Sequence, residues 1–315
     1  MVTLSYTVSL DLRSVLSRID EVRASVLVLP LPPRSEIKLQ WETTAIRIWA
    51  TLGLAGHTVP KHEIAAILAH PTKISTRLPL IFFHKESYQW IHSEWRANPN
   101  PVTLPTLETL FFLLYHRTER SKMLFRSIEI SLRKLLDYLG AQEEHPLIQS
   151  SIAHAQLLAL PELADDHGMF ARLVSYLFLA KYGYDLRGFV APERAWYDDK
   201  KAYDRLAAAL PQTANLTLWI SFMNESFLTT LTRLYGDITQ NRFHIAFPQS
   251  FWAISDRQKE LLKMLDSPDA VTSNKKVAQH FRVSSITASR DLAKLVTLGL
   301  LYPHGKGRSI YYTKI

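Results

Sequence analysis

The sequence predicts a mainly α protein, a large helical body followed by a C-terminal winged helix with a small β-hairpin wing. Three features predict the class. Apolar residues recur at helical spacing over most of residues 10–235, while strand patterns are scarce before residue 300. Residues 255–298 read as three short helices separated by capping and turn residues, and two short strand patterns joined by His304-Gly-Lys-Gly-Arg308 follow. Positive charge gathers at that end: residues 255–315 hold eleven Lys and Arg against five Asp and Glu, which is +6 of the net +8. The expected domains are residues 1–95, a helical segment packing on the core; 96–240, the core domain; and 251–315, the winged helix.

Composition narrows the class. Hydrophobic residues are 47% and charged residues 21% of 315, the balance of a globular chain of about two domains. No apolar run of about 18 residues is present to span a membrane. The N-terminal stretch acquires charges too early for a signal peptide, so a cytoplasmic location without membrane contact is expected. The lack of cysteine excludes disulfides and thiolate-bound zinc.

Taken in order, residues 10–28 read as a helix that stops at the Pro-rich LPLPP. Residues 42–69 describe helix, turn and helix, interrupted at Gly53 and Gly56 and restarted after Pro60, a residue suited to a first helical turn. Residues 96–106 form a loop. Residues 107–116 and 123–139 are helices, the second amphipathic with Arg133, Lys134 and Asp137 on its wet side. Residues 148–160 and 169–181 are apolar all round and are expected to be the core. Residues 203–210 and 216–235 continue the helical pattern, and 242–250 read as a linker. The seven tryptophans are taken as packing residues.

At the C-terminal end, residues 255–265 form a helix with Ser255 as N-cap, and a shorter one begins at Ser273. After a turn at Arg282, residues 286–298 form a third, with Ile286, Leu292, Leu295 and Val296 assigned to its apolar face and Gly299 ending it. The second helix of such a motif fits the major groove, where short polar and cationic side chains reach base edges. The candidate DNA-contacting residues are Ser284, Ser285, Thr287, Ser289, Arg290 and Lys294, with Lys306 and Arg308 on the wing neutralising phosphates. The stretch resembles the winged helices of bacterial transcription regulators. Double-stranded DNA is the expected partner, and a homodimer is expected because one winged helix contacts a small site. Docking of protein is the alternative use.

A second stretch is unusual in another way. Pro161-Glu-Leu-Ala-Asp-Asp-His-Gly-Met-Phe-Ala-Arg172 is a polar loop with one glycine between two apolar helices, and a helix start after such a loop suits a phosphate. Residues 145–188 around it are similar to the core of Fic domains, whose motif is HPFxDGNGRxxR. His154, seven residues before the motif's first position, and Arg172 at its last set the register. The resemblance extends more weakly over residues 10–234, and an appended winged helix is an arrangement known in that family.

The resemblance implies a helical fold built for AMP transfer to a hydroxyl, and it implies roles by position. The base falls on Pro161, whose side chain cannot take a proton. The motif's Pro and Phe fall on Glu162 and Leu163, its acidic metal ligand on Asp165, the first glycine of its phosphate nest on Asp166, and its Asn on His167. Gly168 is kept, the first Arg becomes Met169, and the second survives as Arg172. The family's inhibitory S/TxxxEG motif corresponds to residues 51–56, with Ala55 in place of the glutamate. Its target-docking flap is missing, since only residues 117–122 separate the two flanking helices.

The expectation is therefore a DNA-binding regulator on a catalytically silent Fic-like scaffold, with no catalytic residue, metal or cofactor, and with a protein partner or anionic ligand possible at the former pocket. Two alternatives stand beside it: a nucleotidyl transferase using His167 or a water held by Asp165, and a pure protein-interaction module. Simpler roles are also available. Asp165 and Asp166 can cap the following helix, Arg172 can pair with Asp166 or Glu162, and His154 can be a hydrogen-bonded core residue. Residues 198–201 read as a solvated helix face. A pocket above Gly168 filled by Met169 and Leu163 would mark a scaffold, and an open one lined by Arg172 a sensor.

Overall fold

The computed structural model describes residues 4–69, 79–141, 144–243, 247, 249–267, 269–305 and 309–314. The chain forms two compact units, Met1–Ala246 and Phe247–Ile315. Eleven helices of the first unit are α1 Leu10–Leu27, α2 Pro33–Leu54, α3 Lys61–Ala69, α4 Pro79–Glu94, α5 Leu104–Tyr115, α6 Glu119–Gly140, α7 Pro146–Leu158, α8 Met169–Lys181, α9 Pro192–Asp198, α10 Lys200–Ala209 and α11 Thr217–Thr239.

The centre of this unit is the α7–α8 pair. Every residue of α8 is buried, as a helix apolar on all sides must be. Several polar groups on it bond to neighbouring elements. Ser150 and Ser175 bring the two helices together through hydroxyls 2.8 Å apart, and the Lys181 ammonium donates to the carbonyls of Asn98 and Asn100 at 3.0 and 2.6 Å. His154 is the expected core histidine: fully buried, its Nε2 lies 2.9 Å from the Tyr203 hydroxyl, and its ring packs edge-on to Trp196 and Trp219. Burial, with Arg172 nearby, holds its pKa well below the usual histidine range.

Three expectations need correction. The Pro-rich stretch starts a helix as well as stopping one, because Pro33 occupies the first turn of α2, where its missing N–H costs nothing. That helix continues through Gly53, which is there for clearance: a Cβ would come within 2.5 Å of the Tyr197 ring of α9. Residues 198–201 face solvent as expected, Lys200 in part, but they are a junction between two helices and not one helix face. Asp198 ends α9 and pairs with Arg233 at 3.2 Å, Asp199 caps α10 through the Ala202 N–H, and Lys200 donates to the carbonyl of Leu54. Helix α4 was not anticipated.

The second unit holds α12 Gln249–Trp252, α13 Asp256–Met264, α14 Asn274–His280, α15 Ser285–Thr297, and an antiparallel hairpin of β1 Leu301–His304 and β2 Tyr311–Lys314. Thr272 adds a bridge to Tyr312, exchanging two backbone hydrogen bonds with it. Leu261, Leu265, Val277, Ala288, Leu292, Leu295 and Leu301 form the core of this unit. Among the described residues, no helix is long and apolar enough to cross a membrane.

Candidate nucleic-acid interface and the turn at Gly168

Helix α14 closes with Arg282 in the left-handed region at φ 50° and with Val283 N–H donating back to the carbonyl of Ala278. This turn delivers Ser284 as the N-cap of α15, its hydroxyl accepting from Thr287 N–H at 3.1 Å. The Thr287 hydroxyl lies 2.9 Å from that of Ser284, so these two candidates are engaged with each other. Ser285, Ser289 and Arg290 are exposed and share one side of the helix. Lys294 is turned elsewhere, half-buried, with its ammonium donating to the Phe251 carbonyl and lying over that ring. Burial holds its pKa below the usual lysine value. Lys306 and Arg308 lie outside the described residues.

Asp291 anchors the helix from behind. It is buried and accepts from Arg257 Nε at 2.6 Å and Gln258 Nε2 at 2.8 Å, tying α15 to the start of α13. Three exposed cations near the motif were passed over in the sequence: Lys275 and Lys276 at the start of α14, and Arg282 in the turn. Their clustering around a helix-turn-helix is the signal that pointed to them. Ile286, assigned to the apolar face, is instead 66% exposed, and Ala288 takes its place in the core.

In the first unit, Pro161–Asp166 is a 3-10 turn that reverses through two left-handed residues, His167 at φ 49° and Gly168 at φ 74°, into α8. Pro161, Glu162, Asp165 and His167 are exposed, whereas Leu163, Asp166, Met169 and Arg172 are buried. Asp166, not Asp165, caps α8: its Oδ2 accepts from Phe170 N–H at 2.8 Å, and its Oδ1 accepts from the Tyr115 hydroxyl. Burial pushes its carboxyl up to about 7, against the lowering effect of the Phe170 N–H and Arg172.

Arg172 fills the space above Gly168. A Cβ on Gly168 would lie 2.8 Å from Arg172 Nη1 and 2.7 Å from Leu158 Cδ2. The guanidinium donates to the carbonyls of His167 at 2.9 Å and Thr51 at 3.2 Å, and to the Tyr203 hydroxyl at 3.4 Å. The expected ion pair with Asp166 or Glu162 is not made; among the described residues no carboxylate lies within ion-pair distance of Arg172. Arg172 therefore packs against the turn at Gly168, held by two backbone carbonyls and the Tyr203 hydroxyl. Among the described residues no group of three or more His, Asp or Glu is placed to hold a metal. The segment between α5 and α6 is only residues 116–118. A cavity of about 50 Å³ lies elsewhere in the unit, lined by Leu39, Glu42, Arg194, Arg233 and Arg242 among others.

Residues 257–310 match the DeoR-like helix-turn-helix domain. No curated protein matches the chain. Among solved structures, a Fic family protein from Desulfovibrio desulfuricans G20 is similar at a TM-score of 0.59 and 18% identity, over 98% of this chain and 97% of that one. The C-terminal match bears out the helix-turn-helix reading, and the structural likeness places the chain in the Fic fold.

Proposed function

We propose that this protein is a DNA-binding regulator in which α15 enters the major groove and the Fic-like unit serves as a scaffold without transferase chemistry. The observation that carries the first half is the DeoR-like helix-turn-helix over residues 257–310, with Ser285, Ser289 and Arg290 exposed along one side of its second helix. Lys275, Lys276 and Arg282, with Lys306 and Arg308 of the wing, supply phosphate contacts and therefore salt dependence. The second half is supported by the turn at Gly168. By the resemblance, Pro161 stands at the position of the family's base, and Arg172 is already engaged with the carbonyls of His167 and Thr51. Two chains acting as a dimer read two half-sites.

Gel shift with duplex DNA over a series of salt concentrations tests the reading. Binding is expected at low salt, to weaken steeply as salt rises, and to fall when Lys306→Ala and Arg308→Ala are combined. No binding at low salt, or binding indifferent to the double substitution, would sink it. Incubation with labelled nucleoside triphosphates and magnesium is expected to give no protein labelling; transfer abolished by His167→Ala would overturn the silent scaffold.

A further inference from the structure

Helix α15 leaves one large aliphatic side chain in solvent. Ala288, Leu292 and Leu295 of that helix are in the core of the unit, but Ile286 is 66% exposed. At about 100° per residue, the exposed residues Ser285, Ile286, Ser289, Arg290 and Ala293 fall on one stripe, with Ile286 and Ala293 near its centre line. The stripe is therefore two hydroxyls, a guanidinium and a central apolar ridge, in a motif whose second helix is the one that enters a groove. Packing does not account for Ile286, since the core of the unit closes without it. Its surroundings are cationic: residues 255–315 carry +6, and Arg290 makes no ion pair among the described residues.

A major groove offers one apolar group to such a ridge, the 5-methyl of thymine, which cytosine and the purines lack. We propose that Ile286 is a specificity-determining residue that packs against a thymine methyl, while Ser285, Ser289 and Arg290 bond the neighbouring base edges. Ala293, two turns further along the stripe, adds little bulk and lets the helix lie close to the base pairs. The proposal rests on the DNA-binding reading above and adds to it a base and an atom.

The test uses the full chain and a duplex selected by it from a random-sequence pool. Affinity is measured by fluorescence anisotropy for that duplex and for copies in which each thymine in turn is replaced by deoxyuridine, which removes only the methyl. The wild-type chain is expected to lose roughly three- to fivefold in affinity at one position of the half-site, the size of one buried methyl contact. Ile286→Ala should bind the thymine and deoxyuridine copies alike, melt at the wild-type temperature, and keep its affinity and salt slope for unrelated duplex. Ile286→Val, which keeps a branched apolar tip, should retain part of the preference. Wild-type protein indifferent to every deoxyuridine replacement, a selected site without thymine, or undiminished discrimination by Ile286→Ala would overturn the proposal while leaving DNA binding intact. Failure of the wild-type chain to bind any duplex at low salt would overturn both readings.

Discussion

Burial pushes the Asp166 carboxyl up to about 7, which makes the stability of the helical unit depend on pH. A carboxyl whose folded pKa exceeds its unfolded value contributes stability that is fully present below about 4 and is lost as pH rises through about 7. His84 works in the opposite sense. It is buried with Nδ1 at 2.8 Å from the Leu80 carbonyl, and burial lowers its pKa to about 4, so its contribution is lost as pH falls. Asp166→Asn separates the two, because it deletes one titration and keeps an acceptor for the Tyr115 hydroxyl or the Phe170 N–H. The stability of wild type relative to Asp166→Asn should fall between pH 4 and pH 7 by on the order of 1–3 kcal/mol, followed by urea unfolding. A difference that is flat across that window would show that the carboxyl is ionised throughout. At this scale the sequence was only partly legible. It marked Asp165 and Asp166 as equivalent caps, yet the chain reversal at His167 and Gly168 decides which carboxylate points back over the helix start. Arg172 was read against its carboxylate neighbours, whereas backbone carbonyls from the turn and from α2 hold it, and carbonyls leave no mark in a side-chain pattern.

Elements were legible where one apolar face recurs without interruption. Helices α7 and α8, apolar on every side, were found as the core for that reason, and α13 announced its start through Ser255, whereas Ser284, the cap of α15, was read only as a DNA contact. Helix α4 was hidden because its buried side includes His84 and Ser87 along with Ile81, Tyr88 and Ile91, while Phe82, Phe83 and Trp90 are only half-buried. An apolar period diluted with inward polar groups on one side and aromatics on the other does not stand out. A comparable polar group positions α15. Asp291, buried behind α15, is the acceptor for two donors of α13, and substitution by alanine leaves the Gln258 amide buried without that partner. Asp291→Ala should destabilise the Phe247–Ile315 unit by about 1–3 kcal/mol, the cost of an unsatisfied buried donor, with the half-exposed Arg257 adding little. Calorimetry of the full chain should show the loss in the transition of the small unit alone; an unchanged transition would mean that α15 is held by its apolar contacts without this anchor.

On the scale of the whole molecule, charge divides the labour between the two units. Residues 255–315 account for +6 of the net +8, which leaves +2 for residues 1–254. A polyanion is therefore drawn to the winged helix, and the helical unit has little electrostatic reason to touch DNA. Salt dependence can count the chains that bind. Each neutralised phosphate contributes about 0.9 to the slope of log affinity against log salt. Lys275→Ala combined with Lys276→Ala removes two exposed cations from the start of α14 in every chain. If one chain binds, the slope should become shallower by about 1.8; if two chains bind paired half-sites, the change doubles to about 3.6. Titrations on a duplex bearing a single half-site and on one bearing two should give the smaller and larger values. Equal changes on both duplexes would show that the winged helix acts singly, and an unchanged slope would remove Lys275 and Lys276 from the phosphate-contacting set.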